Sequence, residues 1–267
     1  MDRVVIVTGA SAGIGRACAD RLSGRGWTVV GTSRRGTSSG EWTGLVMDVD
    51  QDASVHAGVA EVLARHQRVD AVVACAGWGV AGAVEQTAMG EAKAQLETNF
   101  WGVVRIVQAV LPAMRAQGGG RLVLVSSMGG VVALPFQGFY SASKFAVEGL
   151  GESLAYEVAP FGITVTLVQP GNVRTDFTAN RKMAAASQPG DAYRGALDAA
   201  VGLMAHDEAH GVDPEDVAAV VEHALEARRP PRRVSVGKMG ERIGIAAKRV
   251  LPFRLFEAAA KGSLGVK

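Results

Sequence analysis

The stretch VVIVTGASAGIGRACADRL, residues 4–22, restricts this chain more than any other. Val4 to Val7 is a continuous apolar run, long enough for a buried strand and too short for a buried helix. It passes at once into Gly9, Gly13 and Gly15, and then into a helical pattern. Glycines in a strand-to-helix turn allow a tight backbone and close approach of a pyrophosphate, whose charge is favoured by the helix N-terminus. A glycine trio alone is a weak signal. The order strand, turn, helix makes it a strong one for a nucleotide-binding α/β unit.

The following residues repeat the alternation. Thr28 to Thr32, Leu45 to Asp48 and Ala71 to Cys75 read as strands, with a helix from Ala53 to His66. Such alternation requires a parallel sheet covered on both faces, with right-handed crossovers. Ala92 to Met114 is a long helical pattern whose apolar face comprises Phe100, Val103, Val104, Val107, Val110 and Leu111, with Asn99 as its polar member. Ile163 to Gln169 and Val234 to Val236 are further strands, and helices are expected from Asp191 to Glu208 and from Pro214 to Leu225. At 267 residues without a Pro/Gly-rich linker, one large domain is expected.

No apolar run is long enough to span a bilayer, and the strand beginning at Val4 leaves no room for a signal peptide. Two cysteines without a pairing pattern fit a reducing cytoplasm. The five histidines are scattered, so no metal site is expected, and a formal charge of +2 implies no nucleic-acid partner.

A second stretch, residues 122–161, carries candidate chemistry. Leu122 to Ser127 reads as a buried strand ending in hydroxyls. Tyr140 and Lys144, four apart at the start of a helical pattern, share one face. Taken alone, Tyr140 reads as an ordinary partly buried tyrosine and Lys144 as a solvated helix lysine. Together they allow a serine, a phenol and an ammonium to converge, and a nearby ammonium favours the phenolate and brings its titration toward neutrality.

The spacing TGxxxGIG at Thr8 to Gly15, with YxxxK at Tyr140 and Lys144 and a serine thirteen residues earlier, resembles the short-chain dehydrogenase/reductase family. Asn99 in LETNF, Asp48 in LVMDVD, and Pro170, Gly171 and Thr175 in QPGNVRT extend the likeness over roughly residues 3–236. It implies an α/β single-domain Rossmann fold, a doubly wound parallel seven-stranded sheet with helices on both faces. Residues 1–237 would form the catalytic domain, with a substrate-covering helical insertion near 187–210, and residues 238–267 a basic amphipathic extension. The implied catalytic residues are Asn99, Ser127, Tyr140 and Lys144, Asn99 holding a proton-relay water. Implied cofactor contacts are Gly9, Ser11, Gly13, Ile14, Gly15, Arg34, Asp48, Val49, Ala76, Gly77, Tyr140, Lys144, Pro170, Gly171, Val173 and Thr175. The chain departs from the family at Cys75, where an asparagine is usual, and a cost in local stability rather than in chemistry is expected.

The second strand ends Thr32-Ser33-Arg34-Arg35, without the carboxylate that normally receives the ribose hydroxyls in an NAD site. Arg34 can fork a 2′-phosphate, with Ser11 adding a hydroxyl, so NADP(H) is the expected cofactor. In such an enzyme Tyr140 donates a proton to a carbonyl oxygen, Ser127 holds that oxygen and Lys144 binds the nicotinamide ribose. An NAD(H)-dependent alcohol dehydrogenase and a non-catalytic dinucleotide sensor are the alternatives. The residues flanking Tyr140 look similar to the 17β-hydroxysteroid and retinol dehydrogenase branch. That implies a lipophilic carbonyl or alcohol substrate, with Val131, Phe136, Phe139, Val173, Phe177 and Met183 as apolar contacts. The resemblance also implies a homodimer or homotetramer.

In the tail, Ile243, Ala247, Val250 and Leu251 follow helical spacing, and Phe253, Phe256 and Ala260 continue the stripe after Pro252. The expectation is a stripe packed over the substrate end of the same or a neighbouring subunit. A peripheral membrane contact is the alternative.

Overall fold

A computed structural model describes residues 3–263, and the side chains of 3–258. In chain order the elements are β1 (Val4–Thr8), α1 (Gly13–Ser23), β2 (Thr28–Ser33), β3 (Thr43–Val46), α2 (Asp52–His66), β4 (Ala71–Ala74), β5 (Val80–Ala81), α3 (Met89–Leu96), a π turn (Glu97–Trp101) and α4 (Gly102–Ala116). There follow β6 (Gly120–Val125), α5 (Gly138–Val158), β7 (Ile163–Pro170), β8 (Lys182–Met183), α6 (Arg194–Ala209), α7 (Pro214–Glu226), β9 (Arg233–Val236), α8 (Met239–Val250) and α9 (Phe253–Ser263).

Seven strands form one sheet in the order β3-β2-β1-β4-β6-β7-β9, every pairing parallel. β1 is buried along its whole length, as a central strand covered on both faces must be. One face packs on α2, α4 and α5 through Val59, Ile106, Val107, Val110, Val147 and Leu154. The other packs on α1 and α7 through Cys18, Leu22, Val217 and Val221. Chain order reverses between β1 and β4, so a crevice opens at the carboxyl ends of these strands, where such folds bind ligands.

Three local features depart from the sequence reading. The long helix expected from Ala92 to Met114 is interrupted at Asn99 by the π turn, closed by the bond from Gly102 N–H to the Glu97 carbonyl. Ile106 and Met114 join its buried face, whereas Val104 is only half-buried. β5 and β8 were too short to read from periodicity; they pair in parallel as a small second sheet beside the crevice.

The largest departure is the tail. The expected inward stripe is divided on α8: Ala247 and Leu251 do face the crevice, and Ile245 is buried at 4% exposure, whereas Ile243 and Val250 are 59% and 79% exposed. Helical spacing groups these residues correctly. It does not say which side of the helix meets the protein. Glu241 and Lys248 decide this by their bonds, Glu241 to the Asn172 amide groups and Lys248 to the Val131 carbonyl. Ala260 lies outside the described side chains.

Candidate active site

The crevice is a cavity of about 1230 Å³, walled at one end by the turn after β1 and at the other by Phe177, Asn180, Lys182, Leu251 and Phe256. Every residue expected from the sequence to be catalytic or to contact the cofactor lines it, except Asn99.

At the first end the wall is largely main chain. A Cβ on Gly15 would lie 2.4 Å from the Gly9 carbonyl oxygen, and one on Gly9 would lie 2.9 Å from the Ala76 Cα. Gly9 and Gly13 also hold φ of +71° and +55°, which side-chain-bearing residues rarely adopt. α1 begins with no side-chain cap and no acidic residue in its first turn. Its first N–H groups therefore face the cavity without a competing carboxylate, as a pyrophosphate requires. Arg34 and Arg35 line the same end, both exposed, and none of the described ion pairs engages either. Asp48 stands opposite, its carboxylate accepting from Asp50 N–H.

The backbone at Cys75, where the family usually has an asparagine, is held from β1. The buried Thr8 hydroxyl accepts from Cys75 N–H at 3.0 Å and Ala76 N–H at 3.1 Å, joining β1 to the end of β4. Desolvation pushes the Cys75 thiol up to about 12, so it is a neutral side chain rather than a nucleophile.

The catalytic candidates meet mid-cavity. β6 delivers Ser127 just beyond its end, and the first turns of α5 deliver Tyr140 and Lys144. A Cβ on Gly129 would lie 3.2 Å from the Tyr140 ring and 3.3 Å from Ser127 Oγ, so the two side chains border one space. Ser127 Oγ accepts from Gly129 N–H at 2.9 Å, and Lys144 Nζ donates to the Val125 carbonyl at 2.9 Å. Phe177 meets the Tyr140 ring edge-on at 5.7 Å.

The electrostatics correct one expectation. Burial raises the Tyr140 phenol above its ordinary value, and a hydrogen bond with Ser127 offsets this only in part. Glu208, whose carboxylate pairs with the buried Arg181, also raises it. Lys144 Nζ lies 6.0 Å from the phenol ring centre and holds the Val125 carbonyl instead. Burial in turn lowers the Lys144 ammonium to about 8. At neutral pH the pair is therefore a protonated phenol beside a charged lysine, a proton donor rather than a base.

Asn99 is fully buried behind the cavity. Its side-chain amide donates to the Trp78 carbonyl at 3.0 Å and to Ser143 Oγ at 3.1 Å, and its oxygen accepts from Trp78 N–H at 3.0 Å. It braces the segment carrying Gly77, where a Cβ would lie 3.1 Å from the Asn99 oxygen and 3.7 Å from Lys144 Nζ. A π turn at this point is a common mark of a functional site, because it re-aims one helical residue.

Past β7, Gly171 N–H donates to the Val236 carbonyl at 2.7 Å, and Asn172 N–H donates to Glu241 at 3.0 Å. Thr175 reaches back to Gly13, 3.4 Å from where its Cβ would stand, so this loop closes the cavity across from the glycine turn. Of the expected apolar contacts, Val173 and Phe177 line the cavity; Val131, Phe136, Phe139 and Met183 do not. The period of two along β8 turns Lys182 inward and Met183 outward, and the loop after β6 presents Val132 and Leu134 instead. Trp78, Met128, Ile245, Leu251 and Phe256 complete the apolar wall. Trp78 follows Gly77 directly and was the one of these that sequence position could have flagged.

The family described as short chain dehydrogenase matches residues 3–186. A 3-ketodihydrosphingosine reductase of Bacteroides thetaiotaomicron is 38% identical over 260 residues, covering 97% of each chain. Retinol dehydrogenase 8 of Bos taurus is 35% identical, covering 86% of this chain and 80% of its own. A short-chain dehydrogenase structure from Streptomyces avermitilis superposes with a TM-score of 0.83 at 32% identity, covering 98% of both chains. The chain belongs to the short-chain dehydrogenase/reductase family of oxidoreductases.

Proposed function

We propose that the protein is an NADPH-dependent reductase of a lipophilic ketone or aldehyde. The observation that carries this reading is the meeting of Ser127, Tyr140 and Lys144 in one cavity, with Tyr140 a protonated phenol at neutral pH. A bound nicotinamide supplies the hydride. Tyr140 donates its proton to the carbonyl oxygen as that oxygen gains charge, and Ser127 Oγ holds the oxygen by a hydrogen bond. Lys144, charged below about pH 8, holds the ribose and stabilises the phenolate left behind. Asn99 keeps Gly77 and Trp78 in place beside the lysine. Arg34 and Ser11 at the open end of the glycine turn favour a 2′-phosphate, and no acidic side chain stands at Ser33 to favour a bare ribose.

The substrate reading rests on the apolar wall made by Trp78, Val132, Leu134, Phe177, Leu251 and Phe256, whose extent suits a bulky or long-chain carbonyl. Two relatives are named for ketodihydrosphingosine and for retinol, both lipophilic. Exposed Trp101, Phe145, Tyr156 and Phe161 on or beside α4 and α5 support a homo-oligomer formed through these helices. The test is a panel of long-chain, sphingoid, retinoid, steroid and small aromatic carbonyls with NADPH, followed at the nicotinamide absorbance band. Turnover of at least one lipophilic carbonyl, well above that of small aromatic ones, is expected. Equal rates across the panel would contradict the lipophilic reading, and no NADPH consumption with any carbonyl would contradict the enzyme.

A further inference from the structure

We propose that the outer face of α8 and the start of α9 dock onto an anionic lipid bilayer, bringing the cavity mouth to the membrane surface. On α8 the exposed residues Met239, Ile243, Ala246 and Val250 recur at spacings of four, three and four, which places them in one stripe along the helix. Met239, Ile243 and Val250 are 68%, 59% and 79% exposed, and Phe253 and Leu255 of α9 extend the apolar surface at 72% and 61%.

What lies on either side of the stripe identifies the occupant. On one flank stand Arg242 and Arg249, with Arg254 beyond them on α9; all three are exposed, and no described ion pair engages them. On the other flank Gly240, Gly244, Ala247 and Leu251 line the cavity. The apolar surface therefore runs without a polar break from the outside of α8 to the cavity interior. The third side, Glu241, Ile245 and Lys248, is turned into the protein by the bonds to Asn172 and Val131, so the stripe cannot rotate inward. A second copy packed antiparallel on this face, across a twofold axis perpendicular to α8, would set the arginine edge of one subunit near the same edge of the other. An anionic bilayer complements both the cations and the apolar stripe, in the manner of an interfacial helix.

The test is co-sedimentation of the full chain with phosphatidylcholine vesicles with and without phosphatidylglycerol. The comparison is with the triple variant Ile243→Ser, Val250→Ser, Phe253→Ser and with the double variant Arg242→Glu, Arg249→Glu. None of these five residues lines the cavity. The expected result is binding of the wild-type chain to anionic vesicles, at least tenfold weaker binding to neutral ones, and at least a tenfold loss in each variant at unchanged Tm. A wild-type chain that stays in the supernatant with anionic vesicles overturns the proposal, as does a triple variant that sediments like wild type. A fall in particle mass of the vesicle-free triple variant by light scattering also overturns it, because a second copy then occupies the face. Vesicle binding needs neither NADPH nor turnover, so its failure is distinguishable from failure of the reductase reading.

Discussion

The two ends of the cavity are built from different materials. At the glycine turn the wall is main chain: Gly9, Gly13 and Gly15 stand where a Cβ would meet Ala76, Thr175 and the Gly9 carbonyl. At the far end the wall is side chains from segments widely separated in sequence, namely Trp78, Leu134, Phe177, Lys182, Leu251 and Phe256. A backbone wall has one shape and leaves little room for substitution. A side-chain wall can change its contents with little effect on the sheet that supports it. The contrast assigns shared chemistry to the first end and individual specificity to the second, with Ser127, Tyr140 and Lys144 between them.

The largest effect that would break this division lies at the boundary. Tyr140→Phe keeps the ring against Phe177 and removes the proton donor. Turnover is expected to fall roughly 10²- to 10⁴-fold, with the NADPH dissociation constant nearly unchanged. Retention of a tenth of the rate would remove Tyr140 from the proton path.

A smaller effect sharpens the first end. Arg34→Ala removes a fork available to a 2′-phosphate and is expected to weaken NADPH roughly 10- to 100-fold while leaving NADH little changed. Titration of both cofactors checks it, and equal losses would place Arg34 outside the phosphate site. Gly15→Ala tests whether the wall is truly main chain. Its Cβ would stand 2.4 Å from the Gly9 oxygen, so a loss of about 1–3 kcal/mol in stability is expected by denaturant titration, together with weaker NADPH binding. A neutral outcome would show that the turn yields easily.

The pH dependence is the mildest test. Lys144 is lowered to about 8 and Tyr140 is raised, so as pH rises through 8 the lysine loses its charge while the phenol keeps its proton. kcat/KM for NADPH, which reports the free enzyme, is expected to fall up to about tenfold per pH unit above pH 8. A profile flat to pH 10 would mean that the ammonium is not required.

The same contrast explains what the sequence could show. The sheet and the glycine turn were legible because strand length, period and glycine spacing are local properties. Ser127, Tyr140 and Lys144 were legible because a strand end and one helical turn fix their relation. The division of the α8 stripe between cavity and surface was not, since its orientation depends on Glu241 reaching Asn172, a partner 69 positions away. For the same reason Val132 and Leu134 replaced Phe136 and Phe139 at the wall, and the bonds that hold Asn99 within its π turn, to the Trp78 carbonyl and Ser143 Oγ, join residues 21 and 44 positions apart. The raised phenol of Tyr140 likewise depends on burial and on Glu208, neither of which the YxxxK spacing encodes.

Amide hydrogen exchange by mass spectrometry tests the division of the cavity most directly, recorded on the free protein, with NADPH, and with NADPH plus an established lipophilic carbonyl. The account predicts that NADPH alone slows exchange in segments 9–16, 75–78 and 170–175. The carbonyl should then add protection in 176–183 and 240–256. Protection of 240–256 by NADPH alone, or of the glycine turn only when the carbonyl is added, would contradict it.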